Sequence, residues 1–303
     1  MKHTKRWLMI AAILLLAGLT LGFSVLAMHW GDWTAFNTVE PMEPVSQSVA
    51  ADAVTRLEVE LDSADVRLVQ TEDDSFHIQW YEGSQPRFQM ELKEDGTLRI
   101  TQETTRQSPV QIDFSSVTYA LLIEVPEQFR GDTELTSEAG DIALRALDLP
   151  GDLSCRSVSG DVDLRDAGLS GSLSIETQSG EVQALGGGAA NGIVIASASG
   201  DLALTRIQAP ALTLQTTSGQ VELERVQVSG RLTAETQSGD VAWKDLDAGE
   251  MQISTVSGEV EGALSELYQV HTETESGEVE VEGERQGLRP VDISTVSGDI
   301  TIR

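Results

Sequence analysis

Residues 151–190 read GDLSCRSVSGDVDLRDAGLSGSLSIETQSGEVQALGGGAA, and they contain two copies of one unit. The copies align on a Ser-Gly-acid tripeptide, whose glycines are Gly160 and Gly180. With single departures at Ala139 and Gln220, the tripeptide recurs with its glycine at positions 140, 160, 180, 200, 219, 239, 258, 277 and 298. A spacing of 19 to 21 residues over nine units indicates a repeat architecture.

Apolar and polar residues alternate on both sides of each glycine. Around Gly160, Leu153 and Cys155 precede the glycine, Val162 and Leu164 follow it, and the same columns are apolar in most other units. Alternation with period two is typical of strands, and each unit accommodates two short strands with their turns. The sequence therefore predicts an all-β fold, a single-stranded parallel β-helix (β-solenoid) of about nine 19–21-residue coils over residues 131–303.

A hydroxyl residue stands three positions before every motif glycine. Its parity places it inside the coil, where we expect a stacked ladder that bonds to neighbouring backbone rather than an active site. The glycine itself is expected to adopt a positive φ at the corner of the coil. The hydroxyl residues are Ser137, Ser157, Thr177, Ser197, Thr216, Thr236, Thr255, Thr274 and Thr295.

Residues 53–130 lack the full tripeptide but keep the strand pattern, as in RLEVELDSADVRLV from Arg56 to Val69. We expect an N-terminal β-rich part that is continuous with the solenoid and caps it, because a bare solenoid end exposes unpaired strand edges. At the other end the sequence stops within a coil at Arg303. This predicts an open edge on the C-terminal coil, available for self-association.

The N-terminal segment 7–28 contains 22 residues without a charge and follows three basic residues. Its length suits one transmembrane helix, and the preceding charges predict a cytoplasmic tail at 1–6 and an extracytoplasmic remainder. A cleaved signal peptide is the alternative and would make the protein secreted, but the apolar run exceeds the usual signal core. Residues 29–52 are expected to form a linker, since they contain scattered small polar residues and two prolines.

The composition argues against several classes of function. Twenty Lys and Arg against 49 Asp and Glu give a net charge of −29, which disfavours nucleic acid as a partner. The single cysteine, Cys155, excludes an intrachain disulfide and a Cys-based zinc site, and the four histidines are dispersed. Cys155 and Trp243 fall in inward columns and are expected in the core, and no cofactor is expected.

Eight of the nine residues that follow the motif glycines are acidic. In stacked coils they form a column at about 4.8 Å spacing, which we interpret first as a solvated turn face. Calcium binding is the alternative, although calcium prefers six to eight oxygen ligands, which one row does not supply. This candidate cation ladder comprises Asp141, Asp161, Glu181, Asp201, Asp240, Glu259, Glu278 and Asp299.

Catalysis has little support in the sequence. Polysaccharide lyases and hydrolases with a β-helix fold use paired carboxylates, but among 49 acids such pairs are inevitable and uninformative. The constant repeat interval leaves no room for inserted loops that would build a cleft. A carbohydrate-active β-helix enzyme is therefore kept only as the alternative to a protein without enzymatic activity.

The repeated SGDV and SGEV units, the segment YALLIEVPEQF at 119–129 and the N-terminal apolar segment resemble the bacterial "putative adhesin" domain of unknown function. The resemblance covers residues 54–303 and implies an envelope-associated, extracytoplasmic β-solenoid without catalytic residues to transfer. We therefore expect a non-enzymatic protein, anchored in the membrane through 7–28. Its solenoid would present an adhesin-like or envelope-sensing surface that binds or scaffolds an envelope protein or glycan.

Overall fold

The structure is a computed structural model that describes residues 43–82, 87–103, 120–264, 267–282 and 287–303. Within these ranges the chain forms β-strands and one three-residue 3-10 turn, Ala51–Ala53. The predicted tail 1–6 and membrane segment 7–28 lie outside the described residues. No helix within the described ranges is both long and apolar enough to cross a bilayer.

In the described part of the chain, eight strands precede the first motif glycine. They are β1 (Glu43–Ala50), β2 (Arg56–Leu61), β3 (Asp65–Thr71), β4 (Ser75–Glu82), β5 (Arg87–Leu92), β6 (Thr97–Glu103), β7 (Ala120–Pro126) and β8 (Asp132–Ser137).

The strands that follow belong to the motif units, each of which places one strand before its glycine and one after it. They are β9 (Ile142–Arg145), β10 (Asp148–Leu149), β11 (Leu153–Ser157), β12 (Val162–Leu169), β13 (Leu173–Thr177), β14 (Val182–Ala189), β15 (Ile193–Ser197), β16 (Leu202–Ala209), β17 (Leu212–Thr216), β18 (Val221–Glu224), β19 (Gln227–Thr236), β20 (Val241–Lys244), β21 (Asp247–Ser254), β22 (Val260–Gly262), β23 (Tyr268–Ser276), β24 (Val279–Val281), β25 (Arg289–Ser297) and β26 (Ile300–Ile302).

Successive coils stack in parallel and in register, which confirms the predicted all-β solenoid. On the first side of the coil, formed by the strands before the glycines, Leu153 pairs with Leu173, which pairs with Ile193. The strands immediately after the glycines form the second side, where Val162 pairs with Val182. Short segments just before the next unit form the third side. The alternating apolar residues of the three sides point inward and form one continuous buried core.

The motif glycines are needed for close stacking rather than for a positive φ. None of them lies in the left-handed region, so that prediction was wrong. A Cβ added at Gly200 would instead lie closer than 3.0 Å to the carbonyl oxygen of Gly180, a separation that real Cβ atoms essentially never show. The left-handed corner lies six residues after the glycine and holds Ala146, Asp166, Gly186, Arg206, Arg225 and Asp245. This mixture of residue types leaves no sequence column that would reveal it.

The N-terminal end is closed, as predicted, although the order of its coils differs from the order of the chain. The coil of β2 and β3 lies inside, between the β8–β9 coil and a coil formed by β6 and β7. Antiparallel strands complete this end: β5 pairs with β6, and β4 pairs with β7.

Strand β1 pairs antiparallel with β4, so residues 43–50 belong to the sheet. The sequence assigned these residues to the linker 29–52. The small polar residues of β1 lack the strong alternation that marks the other strands, and its strand conformation depends on pairing with β4.

The C-terminal end contains a second change of order. The last coil, β25 and β26, lies between the coil of β21 and β22 and that of β23 and β24. The prediction that the chain's last coil is the open edge was therefore wrong. Val291, Ile293, Ile300 and Ile302 of the last coil are at most 1% exposed. Their partners Thr272, Val279 and Val281 in the β23–β24 coil are smaller than Ile293, Ile300 and Ile302 and are at least partly exposed. Burying the more apolar coil on both sides accounts for this order.

Candidate binding surfaces

The hydroxyl column forms a structural ladder, as predicted. Ser157 Oγ accepts a hydrogen bond from the N–H of Gly160 at 2.9 Å and donates to the Gly160 carbonyl oxygen at 2.8 Å. In later coils the threonine hydroxyl reaches the preceding coil instead, as Thr255 does by donating to the Gly239 oxygen at 3.0 Å. These groups are committed to the turn that the stacked glycines make, which supports the structural interpretation over an active site.

The acidic column has a structural function that the sequence reasoning missed. Asp161 Oδ1 accepts a hydrogen bond of 2.8 Å from the backbone N–H of Glu181 in the next coil. Five further aspartates make the same bond to the next coil: Asp65, Asp141, Asp201, Asp240 and Asp299. The longer Glu181, Gln220 and Glu259 are not among these acceptors in the described coils. The choice between Asp and Glu in the motif therefore decides whether the amide of the next coil has a side-chain acceptor.

The first and last of these bonds lie near the two ends of the column. Burial raises the pKa of the Asp65 carboxyl, and the charge of Asp141 acts in the same direction. The hydrogen bond from the Asp141 N–H and the charge of Arg67 partly oppose that shift. At the other end, Asp299 Oδ1 accepts from the Glu278 N–H at 2.8 Å, which agrees with the changed coil order.

The structure places Asp141, Asp161, Glu181, Asp201, Asp240, Glu259, Glu278 and Asp299 in the predicted column on the turn face. Within the described ranges, no group of three or more His, Cys, Asp or Glu side chains is arranged to hold a metal ion. Calcium binding by this column stays a prediction.

A groove of about 780 Å³ runs along the third side. Its floor consists of paired residues in consecutive coils, each the cross-strand partner of the next: Asp148, Gly168, Gly188, Gln208, Gln227 and Asp247. The groove forms because glycine and alanine occupy its middle and leave the backbone accessible. We call it the third-side groove. Sequence reasoning missed it, although the run Gly186-Gly187-Gly188 was a local signal.

The charged groups of the third-side groove are widely separated. Asp148 and Asp247 stand at its two ends, five coil steps or about 24 Å apart. Arg206, at the left-handed corner with φ 57°, contributes the cation of the lining. Such a groove presents polar contacts to an elongated ligand. Among its described lining residues, no two carboxylates lie at the separation of about 5 to 9.5 Å that glycosidases use.

A smaller depression of about 410 Å³ on the second side borders Trp243. The Trp243 indole is 5% exposed and donates from Nε1 to the Ala263 oxygen at 3.0 Å. The ring fits because the next coil has Gly262 in the same column, where a Cβ would overlap the indole. Trp243 is thus a core residue, as predicted.

Cys155 lies in the core, as predicted, and is fully buried. Burial raises the pKa of its thiol to about 12. A thiol with such a pKa is almost entirely protonated at neutral pH, so it is a poor nucleophile.

Stacked in-register coils and a surface built from repeated columns define this protein as a β-solenoid. The chain belongs to the family described as Toastrack DUF4097, whose model matches residues 54–303. This match confirms the resemblance seen in the sequence. No curated protein matches the chain.

Solved structures to which the chain is similar include a putative adhesin from Bacteroides fragilis NCTC 9343, at 13% identity and TM-score 0.40, covering 84% of this chain and 97% of that one. A putative adhesin from Parabacteroides distasonis ATCC 8503 gives the same values. A putative cell adhesion protein from Clostridium sporogenes ATCC 15579 has 13% identity and TM-score 0.27, covering 86% of this chain and 99% of that one.

Proposed function

We propose that this protein is a non-enzymatic binding or scaffolding module, displayed outside the cytoplasm by its N-terminal apolar segment. The observation that carries this proposal is the third-side groove, which runs across several coils and offers glycine backbone and polar side chains to a ligand. A ligand that fills it is elongated and polar. An envelope glycan chain meets both requirements and is the first ligand to test.

The distribution of ionisable groups supports binding over hydrolysis. The motif aspartates accept backbone hydrogen bonds, and the buried hydroxyls hold the glycine turns. The carboxylates that line the third-side groove stand at its opposite ends, too far apart to act on one bond. Over residues 132–264 the described strands follow one another through short connections, and these regular coils suit an extended contact surface.

The groove is tested with the full-length chain on an array of envelope polysaccharide fragments. Replacing both exposed glutamines of the floor, Gln208→Trp with Gln227→Trp, should lower affinity by about tenfold or more by filling the groove. The matched control is Gln215→Trp with Gln252→Trp, two exposed glutamines on the first side. Equal binding by both double variants would refute the groove as the site. New reducing ends in the bound glycan would favour the carbohydrate-active enzyme.

The location is tested separately in intact cells. We expect the full-length chain in the membrane fraction and its solenoid cleaved by protease added outside the permeability barrier. A chain that resists external protease until the cells are lysed would contradict the proposed display. A shortened product in the medium would favour the cleaved signal peptide.

A further inference from the structure

Among the described coils, that of β23 and β24 differs from the others because it has a neighbour on one side only. Within the described residues, β23 pairs with β25 and β24 pairs with β26, and neither has a second partner. The nine-residue β23 therefore presents a long row of unpaired backbone donors and acceptors. Such an edge is a template for one more strand.

Apart from the buried Tyr268, the inward side chains of this coil are also partly uncovered. Val279 is 44% exposed, whereas Ile300, its partner in the neighbouring coil, is fully buried. Val270 and Val281 pack against the core but are only partly buried. An added strand would find apolar contacts on its inner face as well as backbone partners.

The outer side chains determine which strand fits. The described residues 267–282 contain no Lys or Arg and hold five exposed glutamates: Glu273, Glu275, Glu278, Glu280 and Glu282. Two copies that met through this end would bring these glutamates together, and like charges directly opposite each other in a sheet are destabilising. The charge of the edge thus opposes a second copy of the same end and favours a basic partner.

We propose that β23 is a docking edge for an extended, basic peptide segment of a partner protein, in which apolar residues alternate with Lys or Arg. The segment adds one strand to the first side by backbone hydrogen bonding, as in other cases of β-strand addition. Its apolar residues cover Val270 and Thr272. Its basic residues lie beside Glu273 and Glu275. This edge is distinct from the third-side groove and does not depend on it.

The probe is a nine-residue peptide in which Lys and Val alternate, added to the full-length chain. The control peptide has the same composition with its Lys and Val residues in separate blocks. The alternating peptide should bind about tenfold or more tightly than the block peptide, and a Glu-Val alternating peptide should not bind. Equal affinities for the two basic peptides would overturn the proposal, because only charge would then matter.

Charge reversal at the edge tests the location. Glu273→Lys with Glu275→Lys should weaken binding of the alternating peptide by about tenfold or more. The matched control, Glu222→Lys with Glu235→Lys, changes the charge equally on strands that already have two neighbours. Equal losses in both double variants would overturn the proposal.

Hydrogen exchange provides a readout that does not depend on a variant. Bound peptide should slow exchange of β23 amides and leave the central coils unchanged. Protection confined to another part of the chain would overturn the proposal. A full-length chain that is already dimeric through β23 without peptide would show that the occupant is a second copy, which also overturns it.

Discussion

At the N-terminal end of the solenoid, aromatic side chains close the core, whereas at the C-terminal end the core is partly open. Phe76 packs edge-on against Phe129 with ring centroids 5.1 Å apart, and Trp80 lies 5.8 Å from Phe88. All four are at most 6% exposed, while Val279 at the other end is 44% exposed. The same coil geometry therefore gives a closed end where antiparallel strands cover the terminal coil. Where no such strands cover it, the terminal coil keeps a strand edge that can pair with another strand.

The two ends also differ in the hydrogen bonding of the backbone in their terminal turns. At the N-terminal end, Gln102 Oε1 accepts hydrogen bonds of 2.9 to 3.0 Å from the N–H groups of Asp62, Ser63 and Ala64. The side-chain oxygen of Gln102 thus supplies the hydrogen-bond acceptor that the backbone of a further coil would otherwise provide. Gly277 at the C-terminal end is exposed, and its turn has no such cover among the described residues. The difference shows that closing a solenoid requires both apolar cover and hydrogen-bond acceptors.

The largest expected effect is on the aromatic cover. Phe76→Ala should lower the free energy of unfolding by about 3 to 5 kcal/mol, because it leaves a cavity in a fully buried cluster. Val279→Ala at the open end should change it by less than about 1 kcal/mol. Urea denaturation of the full-length chain measures both. Similar losses would show that the two ends are equally packed.

Substitutions of the motif glycines should affect interior coils and the end coil differently. Gly200→Ala should cost about 3 kcal/mol, because the new Cβ overlaps the Gly180 carbonyl. Gly277→Ala creates the same overlap with Gly298, but the end coil can move away without opening the interior. Its cost should stay below about 1 kcal/mol, with faster hydrogen exchange confined to β23 and β24. An equal loss from Gly277→Ala would mean that the end coil is as firmly held as the interior.

The Gln102 acceptor can be removed with little change of shape. Gln102→Leu should lower the free energy of unfolding by about 2 kcal/mol, because three backbone N–H groups lose their acceptor. Gln215→Leu, on the exposed first side, is the matched control and should be nearly neutral. If the two variants have the same denaturation midpoint, the amide does not close the N-terminal turn.

The motif aspartates should act through their oxygen rather than their charge. Asp161→Ala should cost about 1 kcal/mol, while Asp161→Asn keeps an acceptor for the Glu181 amide and should cost less. Asp299→Ala should loosen only the end coil, whose Glu278 amide it holds. Equal losses from Asp161→Ala and Asp161→Asn would indicate that the carboxylate charge matters, as a cation site would require.

The smallest expected effect is the pH dependence of two aspartates near the N-terminal end. Because the pKa of Asp65 is raised in the folded state, the stability it contributes is present below its unfolded pKa and is lost as pH rises through the folded pKa. Asp65→Asn should therefore raise the Tm slightly at pH 7, and the difference should vanish at about pH 3.

Asp152 provides the control of opposite sign. Hydrogen bonds from the Ser172 amide and hydroxyl lower the pKa of Asp152, so its contribution is present at neutral pH and lost as pH falls through the folded pKa. Asp152→Asn should lower the Tm slightly at pH 7. A Tm change of the same sign in both variants would contradict these assignments.

Much of the interior was predictable from local pattern. Val162 and Leu164 point inward, and Ser157 bonds to its turn, because period-two alternation and the column position are set within one unit. The third-side groove and the hydrogen bonds from the motif aspartates to the next coil were not predictable in the same way. Each depends on the neighbouring coil: Gly168 and Gly188 form a groove only as cross-strand partners, and Asp161 reaches an amide 20 residues away.

The sequence by itself determined the coil, its inward columns and its hydroxyl turn, since nine copies of one pattern specify the same local structure. The tertiary structure alone decided which coil stacks on which at the two ends. Each unit carries the same glycine, hydroxyl and apolar columns. Any unit can therefore stack in register on any other unit. The order depends on the burial of whole coils, and the coil with Ile293 and Ile300 is covered on both sides while the glutamate-rich coil of β23 and β24 remains at the end.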